Sequence, residues 1–141
     1  MPLPPLLSLP DEAAYRTYFE AQYCNTTVVT FDGITVQFFP EIFNEAFYRD
    51  SSRTAKDKAN FDLKRAQRMD WIKAVLQDSS LELYQRVMPN SKVRRIALES
   101  SAPYAVIIQI DSRNAHQARF ITAYIVDSPS ALTKMRSNPK W

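Results

Sequence analysis

Residues 104–110, Tyr104-Ala-Val-Ile-Ile-Gln-Ile110, are apolar at nearly every position. A strand reads this way when both of its faces are covered, so this segment is the predicted centre of a sheet. Before it, residues 81–87 and 93–98 also read as strands. After it, residues 119–126 do so, beyond a polar loop at 111–118. Four strands in succession, with no helix between them, imply antiparallel pairing rather than βαβ units. The predicted class is α+β, with N-terminal helices packed on a mostly antiparallel sheet of about four strands and a preceding β-hairpin.

The hairpin is read from Val28-Val-Thr-Phe-Asp-Gly-Ile-Thr-Val-Gln-Phe38. Asp-Gly between alternating apolar residues is a strong turn signal, and Gly33, the only glycine in the chain, supplies the positive φ. A two-residue turn predicts Phe31 opposite Ile34 and Val29 opposite Val36. The buried face is then Val29, Phe31, Ile34, Val36 and Phe38. Ser8 is the predicted cap of a first helix running to about Tyr23. Pro40 opens a short helix over 41–48, with Ile42, Phe43, Ala46 and Phe47 inward and Asn44 and Glu45 outward. Residues 49–60 are polar and predict a loop. One continuous helix is predicted over 62–77, with Asp62 as its cap and Met69, Ile72, Val75 and Leu76 as its core stripe. Ser128-Pro129 opens a last helix to about Arg136.

At 141 residues the chain reads as one domain, and its 45% hydrophobic and 12% aromatic content excludes a disordered class. Residues 1–10 hold four prolines and no basic run, so they predict an extended arm rather than a signal peptide. No apolar run reaches the roughly 18 residues of a membrane span, so no membrane partner is expected and the cytoplasm is the default compartment. Cys24 and His116 are the only cysteine and histidine. They argue against a zinc-type metal site, and no cofactor is expected. Cys24 reads as a small buried hydrophobe and His116 as a surface loop residue. The charge is uneven: residues 1–52 carry two basic and seven acidic groups, whereas residues 53–95 carry eleven and five. A basic middle is either a solvated surface or one face attractive to phosphate polymers.

Two features could carry chemistry. On a continuous helix Arg65 and Arg68 fall within the apolar arc of Phe61, Met69, Ile72 and Leu76. Inward guanidiniums need acceptors, which are either carboxylates such as Glu41 or Glu45, or a bound phosphate. On the last strand, plain alternation puts Phe120, Thr122, Tyr124 and Val126 on one face, and Arg119, Ile121, Ala123 and Ile125 on the other. Thr122 and Tyr124 bring two hydroxyls together, and Tyr84 and Gln109 add to them from neighbouring strands. They fit a phosphodiester, or are ordinary β-prone partners. Lys92, Arg94 and Arg95 read as a basic strand edge, which also guards against aggregation. There is no glycine-rich phosphate loop, Ser-His-Asp order or helical histidine pair. Nuclease chemistry here would be metal-independent or use carboxylates alone.

Several segments share a family likeness: Val36-Gln-Phe-Phe-Pro-Glu-Ile-Phe-Asn-Glu-Ala-Phe-Tyr48, Phe61-Asp-Leu-Lys-Arg-Ala-Gln-Arg-Met-Asp-Trp-Ile-Lys73, Leu81-Glu-Leu-Tyr84, Tyr104-Ala-Val-Ile-Ile108, Ala118-Arg-Phe-Ile-Thr-Ala-Tyr124 and Pro139-Lys-Trp141. In this ordered set the chain resembles the phage-associated branch of the barnase–EndoU–colicin–RelE-like (BECR-fold) nucleases, from about residue 28 onward. The resemblance implies N-terminal helices on a four-stranded antiparallel sheet. It also implies metal-independent RNA cleavage, by 2′-hydroxyl attack on phosphate, in toxin or phage-encoded effectors. The implied catalytic residues are Glu45, Arg65, Arg68, Thr122 and Tyr124. Lys64, Tyr84, Arg94, Arg95, Gln109 and Arg119 are the expected substrate-binding residues. Glu45 stands where the family pattern carries a histidine, so the chain is either an enzyme with Glu45 as base or a degenerate RNA- or protein-binding domain. RNA and, in a toxin setting, a cognate inhibitor protein are the expected partners.

Overall fold

The computed structural model describes residues 3–51 and 58–141. Residues 52–57 of the predicted loop, with Arg53, Lys56 and Asp57 of the basic stretch, lie outside the described residues, as do Met1 and Pro2 of the arm. The chain begins with residues 3–11, then α1 (Glu12–Phe19) and a π-helical turn (Glu20–Cys24). β1 (Val28–Val29) and β2 (Thr35–Gln37) lead to a 3-10 turn (Pro40–Ile42) and α2 (Phe43–Ala46). A two-stranded ribbon of β3 (Tyr48–Arg49) and β4 (Asn60–Phe61) precedes α3 (Leu63–Gln67) and α4 (Met69–Leu76). The strands β5 (Glu82–Val87), β6 (Val93–Glu99), β7 (Tyr104–Ile110) and β8 (Gln117–Ile125) follow, then α5 (Pro129–Arg136).

The four sequence-predicted strands are all present and pair antiparallel in succession. β7 is interior, as its two-sided apolar pattern requires. The sheet is larger than expected, because the hairpin is part of it. β8 begins two residues before Arg119, and that extension pairs in parallel with β2 through Thr35–Gln117, Val36–Ala118 and Gln37–Arg119. The result is one mixed six-stranded sheet in the order β1-β2-β8-β7-β6-β5.

The hairpin register differs from expectation by one residue. Val28 faces Val36 and Val29 faces Thr35, around a wider turn that carries Gly33 at φ +89. The Thr30 hydroxyl decides this: it accepts from Ile34 N at 2.9 Å and donates to Asp32 Oδ1 at 2.6 Å. A one-residue slip exchanges the faces of a strand. Val28 and Thr30 are therefore buried, and Val29 and Phe31 are exposed.

The long helix is also two helices. Arg68 leaves helical geometry at φ −99 and ψ 17, between α3 and α4. Met69, Ile72, Val75 and Leu76 are buried as predicted, and Asp62 caps α3 by accepting from Arg65 N. Asp11, not Ser8, caps α1, accepting from Ala14 N at 2.8 Å. The arm before it lies on α3 and α4, where Leu7 N donates to Gln67 O and the Trp71 indole donates to Pro4 O, each at 2.7 Å.

The helices bury one sheet face. Phe19 is fully enclosed among Tyr23, Phe38, Phe43 and Phe47, with ring centroids 5.4–6.1 Å away. The sheet contributes Ala97, Val106, Ile108, Phe120 and Ala123 to this core. On the opposite face, Tyr84, Ile96, Leu98, Ala105 and Val126 pack with Met135 and Leu132 of α5. α5 spans only eight residues, so part of this second face remains open.

Arg95 locks the hairpin to the sheet. It lies on the helix-bearing face at 1% exposure, its Nη1 donating to both oxygens of Asp32 at 3.0 and 2.8 Å. Its guanidinium lies between the Phe31 and Trp141 rings, 5.2 and 5.3 Å from their centroids. The expected basic strand edge is thus corrected: β6 is interior, and Arg95 belongs to the fold. Burial works to raise the Asp32 pKa, but bonds from Thr30 and Arg95 outweigh it and hold the carboxyl below its ordinary value. A depressed carboxylate stabilises the fold above its unfolded pKa, near 4, and loses that contribution as pH falls through the folded value. Asp32→Ala is expected to cost at least about 2 kcal/mol at pH 7, below the roughly 3–5 kcal/mol of an enclosed pair because Asp32 is one-third exposed. Urea unfolding should show this gap narrowing below pH 4; an equal gap at pH 7 and pH 3 would contradict the ion-pair account.

Candidate functional site

The open sheet face is organised by a bulge in β8. Ile107 faces Thr122 but Ile108 faces Phe120, leaving Ile121 as an extra residue. Bulges re-aim the side chains that follow them. This corrects the plain alternation expected for the strand. Phe120 points into the helix-side core, whereas Thr122 and Tyr124 join Arg119 on the opposite face. Arg119 continues a row set by the strand register: Arg86 faces Arg94, Arg94 faces Gln109, Gln109 faces Arg119, and Arg119 faces Gln37. Directly paired residues share a face, and strands are about 4.8 Å apart, so the row crosses five strands over roughly 19 Å.

A cleft of about 410 Å³ opens on this row. Its floor is Arg94, Arg119, Ile121, Thr122 and Tyr124; its wall is Ile42 and Glu45 from the 3-10 turn and α2, with Lys58 and Arg65. Four cations and one carboxylate thus face one cavity. Among the described residues, no carboxylate forms an ion pair with Arg86, Arg94 or Arg119. Arg94 donates its Nε only to Gln109 Oε1, at 3.3 Å. Burial, then the neighbouring Arg119 and Arg86, lower its pKa, although a guanidinium stays charged at any ordinary pH. Burial raises the Tyr124 pKa against the pull of Arg65 and Arg86, so its phenol is protonated at neutral pH.

Arg65 is held over this cleft. Its Nε lies 3.5 Å from Asp62 Oδ2, its Nη1 donates to Ala46 O at 3.3 Å, and its guanidinium is 5.4 Å from the Tyr124 ring centroid. Its carboxylate partner is therefore the helix cap, rather than Glu41 or Glu45. Glu45 is exposed and makes no direct bond to the arginines or hydroxyls of the cleft.

The other expected site residues are placed differently. Arg68 and Lys64 line a neighbouring cavity of about 540 Å³ that shares Arg65 and Tyr124 with the cleft. Arg68 Nη1 donates to Lys64 O at 2.9 Å and the guanidinium packs on Trp71, leaving Nε buried without a partner. Gln109 lies in the arginine row. Tyr84 is buried, its hydroxyl donating to Glu82 Oε1 at 2.6 Å, away from the cleft. Arg95 is on the opposite face. Sequence reading missed Arg86, although its two-residue spacing from Tyr84 placed it on the open face. It also missed Lys58, which no local pattern marks. Lys73 lies away from the cleft, and Lys92 lines a separate cavity that shares Arg119 with it, so of the described basic stretch only Lys58, Arg65 and Arg94 line the cleft and the rest is spread over other surfaces.

His116 is an exposed loop residue. Among the described residues there is no cluster of three or more His, Cys, Asp or Glu side chains that could hold a metal ion. Nor is any helix long and apolar enough to cross a membrane. Comparison of the chain with protein-family models, curated proteins and solved structures found no match.

Arg94 is half-buried beside the exposed Arg86 and Arg119, and neighbouring like charges cost stability. Arg94→Gln is expected to leave the fold intact and raise its stability by about 0.5–1 kcal/mol in low salt, with the gain shrinking as salt screens the row. Chemical denaturation at two ionic strengths checks this. A loss of 2 kcal/mol or more would show that Arg94 holds the sheet together instead.

Proposed function

We propose that the open sheet face binds single-stranded RNA and that the cleft cleaves it by attack of a ribose 2′-hydroxyl on the adjacent phosphate. The observation that carries this reading is the convergence of Arg65, Arg94 and Arg119 on one cavity with Glu45, Thr122 and Tyr124. A guanidinium fork matches a phosphate, and three of them offset the charge gained by a pentacoordinate phosphorane.

The residues divide the reaction as follows. The Glu45 carboxylate takes the 2′-hydroxyl proton. The 2′ oxygen bonds to phosphorus, and the bond from phosphorus to the 5′ oxygen breaks. Tyr124, kept protonated by burial, supplies a proton to the departing oxygen, and Thr122 positions the phosphate beside it. The products are a 2′,3′-cyclic phosphate and a 5′-hydroxyl. These steps use only side chains, so the reaction proceeds in chelator. A toxin or phage-effector setting, with an inhibitor protein as partner, belongs to this proposal through the family resemblance alone.

A second reading, RNA binding without cleavage, draws on a specific observation. Glu45 is exposed and bonded to none of the groups it would serve. One experiment separates the two. Labelled single-stranded RNA is incubated with the protein in chelator, and the ends are analysed. The nuclease reading expects cyclic phosphate ends, with Arg65→Ala and Arg94→Ala slowing cleavage about 10²–10³-fold and Glu45→Gln about 10²–10⁴-fold. Arginine-dependent binding of intact RNA would establish the second reading. For three arginine contacts the affinity should fall with salt at a log–log slope of about −2. Absence of salt-dependent binding would overturn both.

A further inference from the structure

Next to the cleft, between α5 and the sheet, is a pocket of about 390 Å³ that phosphate chemistry does not explain. Its floor is apolar: Ile96, Val126 and Met135 are buried, and Ile107 is partly so. Its rim is cationic, formed by Arg86, Arg94 and Lys134. Two of its residues are shared with the cleft, Arg94 and Tyr124. The pocket and the cleft therefore meet on a phosphate-binding arginine and an aromatic ring.

The charges of α5 are divided in a way that bears on the occupant. Arg136 is committed to Glu82, with bonds of 3.0 and 2.8 Å. Lys134, two residues earlier, lines the pocket and has no carboxylate partner among the described residues. At the far wall, the Asn138 side-chain nitrogen donates to Met135 O at 2.9 Å, which leaves its carbonyl oxygen as an acceptor. An apolar floor, an aromatic side, a cationic rim and one amide acceptor are complementary to a planar, polar-edged ring attached to a phosphate. They do not suit a free phosphate, which has no use for the floor, or an apolar peptide, which has none for the rim.

We infer that this pocket takes the base of a nucleotide whose phosphate is held by Arg94, so the protein binds single-stranded RNA by one seated base as well as by its backbone. The inference rests on the RNA reading of the cleft. Stacking and desolvation of one base on an aromatic platform is sequence-tolerant, and the Asn138 oxygen adds a preference for bases with an exocyclic amino group.

The test uses the full chain and a short 2′-O-methyl oligonucleotide, which cannot undergo 2′-hydroxyl attack, with one abasic site moved along it. One position is expected to be sensitive, losing at least about fivefold in affinity when its base is removed. Ala131→Trp blocks the pocket from an exposed position in the first turn of α5, where the fold tolerates a large side chain. In that variant the sensitive position should lose its penalty, while Arg94→Ala still weakens binding. Binding that depends on Arg94 but is indifferent to every abasic site, or a penalty unchanged in Ala131→Trp, would overturn the base pocket and leave the cleft standing. Failure of the intact oligonucleotide to bind would remove the cleft reading itself.

Discussion

The extra residue Ile121 in β8 is the constraint on which the open face depends. A strand has a period of two, so Arg119 and Thr122 would lie on opposite faces if β8 ran without a bulge. The inserted residue shifts the phase between them. Ahead of it, Ala118 and Phe120 turn toward the helices; after it, Ala123 and Ile125 do the same. The core-facing pattern is kept on both sides of the bulge, and the residues left over on the other face become Arg119, Thr122 and Tyr124. The core requires this, since without the bulge Ala123 and Ile125 would turn away from the helices. Pairing of β7 with β8 continues on either side, at the cost of one unpaired residue. What the bulge adds is a floor on which a guanidinium and two hydroxyls lie together.

The neighbours Arg94 and Arg95 show the same alternation producing opposite outcomes. Arg95 faces the helices, is paired with Asp32 and is enclosed by two aromatic rings. Its charge is compensated, and it ties three separate parts of the chain together. Arg94 faces the other way, toward Arg86 and Arg119, with only an amide oxygen to accept from it. One cation is ion-paired within the fold, although its Nε is buried without a partner, and the other, among the described residues, has no ion pair. Buried-face arginines are normally resolved in the first way, because an unpaired charge out of water is expensive. In the row around Arg94 the cost is smaller, because Arg86 and Arg119 are exposed to water and only Arg94 is half-buried.

Much of this was legible in the sequence, and the failures share a cause. The four strands and the core of α4 follow from apolar periodicity, which the tertiary structure does not alter. The hairpin slipped because the Thr30 hydroxyl found two local partners, and a side-chain hydrogen bond does not show in an apolar pattern. The helix broke at Arg68, so a single wheel drawn through residues 62–77 does not hold: both arginines line the neighbouring cavity, but only Arg65 also reaches the cleft. Arg68 folds back on its own helix. The bulge carries no composition signal, since Ile121 is an ordinary strand residue. The candidate site was therefore readable as a set of residue types but not as a geometry. Glu45, Arg65, Arg94, Arg119, Thr122 and Tyr124 meet, whereas Tyr84 and Arg95 were chosen by residue type and belong elsewhere.

The placement of Glu45 bears most on what the cleft can do. In a resting protein, a carboxylate salt-bridged to Arg65 or Arg94 would be a poor base, because a paired carboxylate has its proton affinity lowered. Here Asp62 occupies Arg65 instead, and the arginine row runs along the floor while Glu45 stands on the wall. Among the described residues Glu45 and the arginine row are thus not paired with each other. Under the proposed cleavage Glu45 is the proton acceptor, and its exposed place on the wall, with no bond to the arginines or hydroxyls of the cleft, is equally the observation that the binding-only reading draws on.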